Sequence, residues 1–305
     1  MASLPELDDW TFFDGIARAR SLTAAAREWG VSVPAVSKRL GALESRLGVQ
    51  LVRRSTRALS LTDEGVRLAE GAARVLREIH DVEDSLLDPR AGLRGRLAVH
   101  STIGLGRMHV APILRGFAEQ HPQLRLELEL SALPLNIAGS PFDVGIRVGR
   151  VADSRLHGRL LIRQRRVLCA SPGYLDRCGT PRDLADLGRH NCIVLRQDES
   201  DYAIWRFGPT GAETAIRVDG TLLTNDGETA TRWCLEGAGI IMRSQWHVEP
   251  LLRDGSLVQV LPEEATPEAN IVAVYPTDVA PARRIGEFLD ALKAGLAARL
   301  PFLVN

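Results

Sequence analysis

Ser21-Leu22-Thr23-Ala24-Ala25-Ala26-Arg27-Glu28-Trp29-Gly30-Val31-Ser32-Val33-Pro34-Ala35-Val36-Ser37-Lys38-Arg39-Leu40 reads as two short helices pivoting on a glycine, and that reading decides the fold. Hydroxyl residues at Ser21 and Ser32 suit the caps that open each helix. The alanines between carry high helix propensity, and Gly30 takes the left-handed conformation that ends the first helix. Pro34 fits the first turn of the second helix, where its missing N–H is not needed. Val36, Leu40, Leu43 and Leu47 then recur at helical spacing and form one buried stripe, which stops at Gly48. Pro34, Ala35, Ser37, Lys38 and Arg39 fall mainly on the other side, where a recognition helix meets base edges. Such helix pairs also occur in proteins that never touch DNA. Charge separates the two cases. From Arg18 to Ser60 there are nine basic residues against two acidic ones, while the whole chain sums to zero. A basic head on a neutral body suits phosphate binding.

Leu51 to Leu61 reads as a small hairpin with Arg53, Arg54 and Arg57 near its tip, placed to lie along a phosphate backbone. A solvated basic loop fits the same residues. The candidate DNA contacts are Ser21, Ser32, Pro34, Ala35, Ser37, Lys38, Arg39, Arg53, Arg54 and Arg57. Together they describe a winged helix-turn-helix, an all-α N-terminal domain with a wing.

In order and spacing these residues, with Leu43-Glu44, Leu47-Gly48, Leu51, Arg54 and Leu61-Thr62-Asp63-Glu64-Gly65, resemble the N-terminal signature of LysR-type transcriptional regulators. The chain departs from it at Val52, where many members have Phe, and Lys38 stands at a position that varies between members.

Thr62 to Leu87 reads as a long helix in which Leu68, Ala72, Val75, Ile79, Val82 and Leu86 follow a four-three spacing, the seam of a coiled coil. That seam is compatible with packing on its own domain and with pairing two chains. Joined to a helix-turn-helix, pairing accounts for more, because a dimer presents two recognition helices to two half-sites. Asp88-Pro89-Arg90-Ala91-Gly92 then breaks the helix. The division expected is 1–62 for DNA binding, 63–92 for the linker helix and hinge, and 93–305 for the body.

The body alternates strand-like and helix-like runs. Strands are expected near Leu97–His100, Leu124–Leu130, Phe142–Arg147, Val167–Ala170, Cys192–Leu195, Ala215–Val218, Ile240–Arg243, Leu257–Leu261 and Ile271–Tyr275. Helices are expected near Arg107–Gln120, Asp226–Glu236 and Ala282–Ala298. This alternation points to α/β layers with mostly parallel sheets. Phe142-Asp143-Val144-Gly145-Ile146-Arg147-Val148-Gly149, Ala170-Ser171-Pro172-Gly173-Tyr174-Leu175, Trp205-Arg206-Phe207 and Asn225-Asp226-Gly227 are similar to a subgroup of the same family. The resemblance implies two periplasmic-binding-protein-like subdomains, I (about 93–161 and 270–305) and II (about 162–269), with a small effector in the cleft between them.

Ligands of α/β sheets collect beyond the carboxyl ends of strands. Ser101, Thr102, Ile103 and Gly104 follow the first strand of the body, and Thr224, Asn225 and Asp226 follow a strand of the second subdomain, so these are the candidate effector contacts. Arg147 is a candidate carboxylate clamp, equally compatible with an ion pair to Asp143 or Asp153. Ser101 and Thr102 also suit helix capping. The effector expected is a small anionic metabolite, an organic acid.

Enzyme readings fail one by one. Gly104-Leu105-Gly106-Arg107-Met108-His109 imitates a dinucleotide fingerprint, but His109 stands where close packing demands a small residue. The seven histidines never fall at zinc-ligand spacing, and no nucleophile elbow or phosphate loop is present. No cofactor and no metal are expected. Cys169, Cys178, Cys192 and Cys234 show no C-x-x-C spacing; a redox-sensing regulator is the alternative, with Cys178 beside Arg177 as its candidate thiol. Without a charged-then-apolar leader or a membrane-length apolar run, a cytoplasmic protein is expected, with duplex DNA, a small effector and a second copy of the chain as partners.

Overall fold

A computed structural model of the chain describes residues 7–19, 21–54, 59–86, 92–132, 137, 140–149, 156–196, 203–209, 211–276 and 282–303. Packing divides it into two units, Met1–Gly95 with Asn136–Phe142 and Arg96–Leu135 with Asp143–Asn305.

In the first unit, α1 (Leu7–Ala19), α2 (Leu22–Glu28) and α3 (Val33–Leu47) enclose a core of Phe12, Phe13, Ile16, Ala25, Ala26, Val36, Leu40 and Leu43. The caps fall where the hydroxyls predict them. Ser21 Oγ accepts from Ala24 N at 3.0 Å and Ser32 Oγ from Ala35 N at 3.3 Å. Gly30 and Gly48 take φ of 65° and 71°, so the left-handed turns that end α2 and α3 need glycine. The wing is the small hairpin expected after α3: β1 (Val52–Arg54) pairs antiparallel with β2 (Leu59–Leu61), Arg53 opposite Ser60. α4 (Asp63–Leu86) follows at once. Its first turn is tied to the wing, because Thr62 Oγ1 donates to Gln50 O at 2.6 Å and accepts from Gly65 N at 3.0 Å. A Cβ at Gly65 would overlap the Leu51 carbonyl oxygen, so only glycine lets α4 pass there.

In the second unit, β3 (Gly95–Thr102) leads through α5 (Ile103–Leu105) and a π turn at Gly106–Val110 into α6 (Ala111–Gln120) and β4 (Leu124–Ser131). β5 (Val144–Val148) and β6 (Leu156–Ile162) follow. Three residues later the chain starts a second sheet with β7 (Arg166–Ala170), α7 (Pro172–Cys178), β8 (Cys192–Leu195), the hairpin β9 (Ile204–Phe207) and β10 (Thr214–Arg217), and β11 (Leu223–Thr224). α8 (Gly227–Leu235), β12 (Ile240–Ser244), α9 (Gln245–Arg253) and β13 (Val258–Gln259) complete that half, and β14 (Ile271–Pro276) and α10 (Arg283–Arg299) return to the first. Among the described residues there are two five-stranded sheets, ordered β4-β3-β5-β14-β6 and β11-β8-β12-β7-β13.

The sheets are mixed, which corrects the expectation of mostly parallel pairing. β3–β5, β8–β11 and β8–β12 are parallel, but β14 runs antiparallel to both β5 and β6, and β7 antiparallel to both β12 and β13. Strand direction is reversed wherever the chain enters a sheet from its neighbour instead of through a helix. Periodicity records the layer type but not that crossing. No helix among the described residues is long and apolar enough to cross a membrane.

Candidate functional site

The N-terminal end of α3 is solvent-facing. Ser32, Pro34, Ala35 and Lys38 are exposed and Ser37 half-buried, while Val36, Leu40 and Leu43 on the other side are buried. The apolar turn before it is open as well, with Val31 and Val33 exposed. Ser21 and Ser32 spend an acceptor lone pair on their caps, which leaves each hydroxyl proton available to an outside acceptor. Arg39 behaves differently from its neighbours. Its Nη2 donates to Asp8 O at 3.0 Å and its guanidinium stands 4.5 Å from the centre of the Phe12 ring, so it is engaged by α1. Arg46 is likewise paired with Asp9 and Arg18 with Asp14. These struts depend on α1, which the sequence reading did not identify; Asp8, Asp9 and Phe12 ahead of the alanine run were the available signal. Glu44, part of the quoted signature, accepts from Leu51 N at 2.8 Å and Val52 N at 3.2 Å and so fixes the wing to α3. Arg53 is exposed on β1. Arg54 lies on the same strand, its side chain outside the described residues, and Arg57 lies outside them altogether.

Along α4, Ala72 is fully buried and Leu68 packs on the core of the head. Val75 and Ile79 are half-buried and Val82 is exposed; the Leu86 side chain lies outside the described residues. The first part of the seam is thus used within the chain.

In the body, the two predicted loops approach one another. Ser101 ends β3 and is buried, and its Oγ has no hydrogen-bond partner among the described residues. Thr102 caps α5 without a side-chain hydrogen bond. A Cβ on Gly104 would lie 3.8 Å from both Glu228 Oε1 and the Trp246 ring, and Arg107 Nη1 meets Glu228 Oε2 at 2.9 Å. The loop after β3 therefore faces the start of α8 and of α9. Thr224 Oγ1 accepts from Asp226 N at 3.1 Å, and Asn225 is exposed. Asp226 is the cap of α8, accepting from Glu228 N, Thr229 N and Thr229 Oγ1. Burial pushes its carboxyl up, but these hydrogen bonds and the Arg107 charge outweigh that and hold it below the usual range. Asp226 thereby shapes the loop, its oxygens already occupied.

Arg147 is the remaining candidate. It stands on β5 opposite Val272, near enough to buried His100 to disfavour the imidazolium; burial first and the Arg147 charge second bring His100 down to about 4. Asp143 is tied to β3, its Oδ2 accepting from Ala98 N at 2.8 Å, and Asp153 lies outside the described residues. Around the approaching loops lie groups the sequence reading missed: Arg243, Trp246, His109 and His247. His109 stacks edge-on against Trp246 at 5.2 Å. Burial lowers His109 to about 4 and His247 to about 3, with neighbouring arginines acting the same way.

A separate cavity of about 480 Å³ is lined by Val148, Gly149, Arg166, Ile204, Arg206 and Met242, among others. Its size suits a small molecule. None of the predicted effector contacts is among the residues that line it. Cys169, Cys192 and Cys234 are buried and Cys178 is exposed. Burial pushes the Cys192 thiol up to about 12, far from the thiolate a redox sensor uses. Arg177 donates to Gly173 O at 2.7 Å and Gly237 O at 2.8 Å.

Residues 7–66 match the family model described as "Bacterial regulatory helix-turn-helix protein, lysR family", and residues 90–297 that of the "LysR substrate binding domain". Two relatives from Escherichia coli K12 align almost end to end. The HTH-type transcriptional regulator DmlR is 36% identical, covering 99% of this chain and 98% of its own. The HTH-type transcriptional activator TtdR is 33% identical, covering 98% and 96%. Among solved structures, the full-length Vibrio cholerae virulence activator AphB is similar at a TM-score of 0.59 and 25% identity, covering 95% of this chain and 99% of its own. CrgA of Neisseria meningitidis is similar at 0.56 and 27%, covering 99% and 100%. A capped helix pair with a basic wing, followed by a mixed α/β body, is thus matched along nearly its whole length, and the chain belongs to the LysR family of DNA-binding transcriptional regulators with an effector-binding domain.

Proposed function

We propose that this regulator binds a pseudo-palindromic operator as a homodimer or homotetramer in the cytoplasm, without enzymatic activity, and that a small organic acid shifts its state. The observation that carries the reading is the open N-terminal end of α3, where Ser32, Pro34, Ala35, Ser37 and Lys38 project opposite the buried stripe. In this assignment they meet base edges and nearby backbone, and Arg53, Arg54 and Arg57 meet phosphates. Ser21 and Arg39 hold the shape of the contact face. The more open positions of α4, Val75, Ile79, Val82 and Leu86, form the pairing seam, with Leu68 and Ala72 anchoring it to the head.

The functional divisions assigned are 1–62 for DNA binding, 63–92 for linker and pairing, and 93–305 for the effector. Subdomain I is about 93–161 with 270–305, and subdomain II 162–269. The effector seat is the meeting place of Ser101, Thr102, Ile103 and Gly104 with Thr224, Asn225 and Asp226. An effector that prefers one arrangement of the subdomains moves the equilibrium by no more than its difference in affinity.

Fluorescence anisotropy with duplexes tiled across the promoter next to the protein's own gene tests the reading. Binding to one segment that weakens steeply with salt is expected. A chain that ignores every duplex in dilute buffer, or runs as a monomer at working concentration, overturns it.

A further inference from the structure

Arg243 lies on β12 and is only 5% exposed. A buried charge is costly unless something neutralises it and occupies its donors. Within the protein that requirement is half met. Arg243 Nε donates to Thr231 Oγ1 at 3.1 Å, and Thr231 Oγ1 itself donates to Gly227 O at 2.8 Å, which fixes the plane of the guanidinium. Nη1 and Nη2 have no acceptor among the described residues. The charges of nearby Asp226 and Glu228 favour the guanidinium, but neither hydrogen-bonds to it. Asp226 is spent on the first turn of α8, and Glu228 gives Oε2 to Arg107 while its Oε1 is buried without a partner among the described residues.

The tip of the guanidinium is held in an unusual place. A Cβ on Gly227 would fall 2.5–2.7 Å from Nη1, Nη2 and Cζ, so glycine is what admits the fork beneath the first turn of α8. Free backbone N–H groups gather at a helix start, and an anion there meets both sets of donors. Ser101 Oγ and Trp246 Nε1, from the elements facing this turn, are buried and have no hydrogen-bond partner among the described residues. They suit a second polar group on the same ligand.

We infer that Arg243 is the carboxylate anchor of the effector seat, taking one carboxylate of an organic acid across Nη1 and Nη2. This rests on the reading of the body as a seat for organic acids, and it assigns to Arg243 the clamp role that sequence gave to Arg147. The ligand it selects is planar and anionic at one end and hydrogen-bonding at the other.

Thermal shift and isothermal titration of the full chain with malonate, succinate, glutarate and benzoate, and with neutral succinamide, test it. At least one acid raises Tm and succinamide does not. Arg243→Gln weakens that acid at least about tenfold, whereas Arg147→Ala weakens it less. Without ligand, Arg243→Met melts at the wild-type temperature or above, because an uncompensated buried charge has been removed. An acid bound equally by wild type and Arg243→Gln overturns the anchor and leaves the organic-acid reading standing. A wild-type chain that ignores all four acids at millimolar concentration overturns that reading and the anchor with it. A ligand-free Arg243→Met that melts well below wild type makes Arg243 a structural cation and overturns the anchor alone.

Discussion

The head and the body treat polar groups in opposite ways. In the head, Asp14 is the buried charged or polar residue among those described, and it is paired with Arg18 at 2.7 Å. In the body, His100, Ser101, His109, Thr231, Arg243 and Ser244 are among ten such residues. A macromolecule is read from outside, so the head keeps an apolar interior and displays Lys38 and Arg53. A small molecule is read by being enclosed, and buried donors and acceptors of this kind are what an enclosed polar site needs.

Acid should separate the two regions most. His100 and His109 titrate near 4 in the fold against about 6.5 in the open chain. Between those values the unfolded chain takes up protons that the native one refuses, so stability falls as pH drops from about 6.5 to 4 and is intact above 6.5. Each imidazole contributes at most on the order of 3 kcal/mol. Residues 1–79 contain no histidine, so the head lacks this term. Calorimetry at pH 7.5 and 5 should show the body transition move down; equal body transitions would erase the contrast.

Phe13→Ala should cost the head about 3–5 kcal/mol, since Phe13 is fully buried. DNA binding should disappear while effector affinity stays at the wild-type value. Joint loss of both would mean that the regions do not fold independently.

Finer distinctions lie within the head. Lys38→Ala should change preference among operator variants by about 1–3 kcal/mol, and Arg53→Ala should weaken all duplexes alike and lessen the salt dependence. Competition assays giving the reverse pattern would exchange their roles. Ser32→Ala removes the cap of α3 and should lower head stability by about 1 kcal/mol, readable by denaturant titration. Smallest of all, Arg232→Ala breaks an exposed pair with Glu236 on α8 and should change body stability by roughly 0.5 kcal/mol or less; a larger loss would give the body surface a weight that the comparison denies it.

Legibility followed the same division. Capping hydroxyls, Gly30, Pro34 and the stripe through Leu43 are local signals, and the helix pair could be read from them directly. The long helix and most body strands followed from periodicity. What escaped was non-local. α1 carries no cap signal that sets it apart, β6 has Gly158 in its middle, and α9 contains Pro250, which argues against a helix from sequence alone. Strand direction depended on two crossings between sheets. At the proposed effector seat, Ser101 and Gly104 could be singled out because they follow a strand, but Arg243 sits inside one, in a run that reads as ordinary core until Gly227 is seen to make room for it.

The junction at Gly65 locks the long helix to the wing within the head. Because α4 is pressed onto the Leu51 carbonyl and Thr62 bridges Gln50 to Gly65, there is no slack between the long helix and the wing. Any side chain at residue 65 should therefore pry the start of α4 off the wing, so that Gly65→Ala lowers the melting temperature of the head and leaves that of the body where it was.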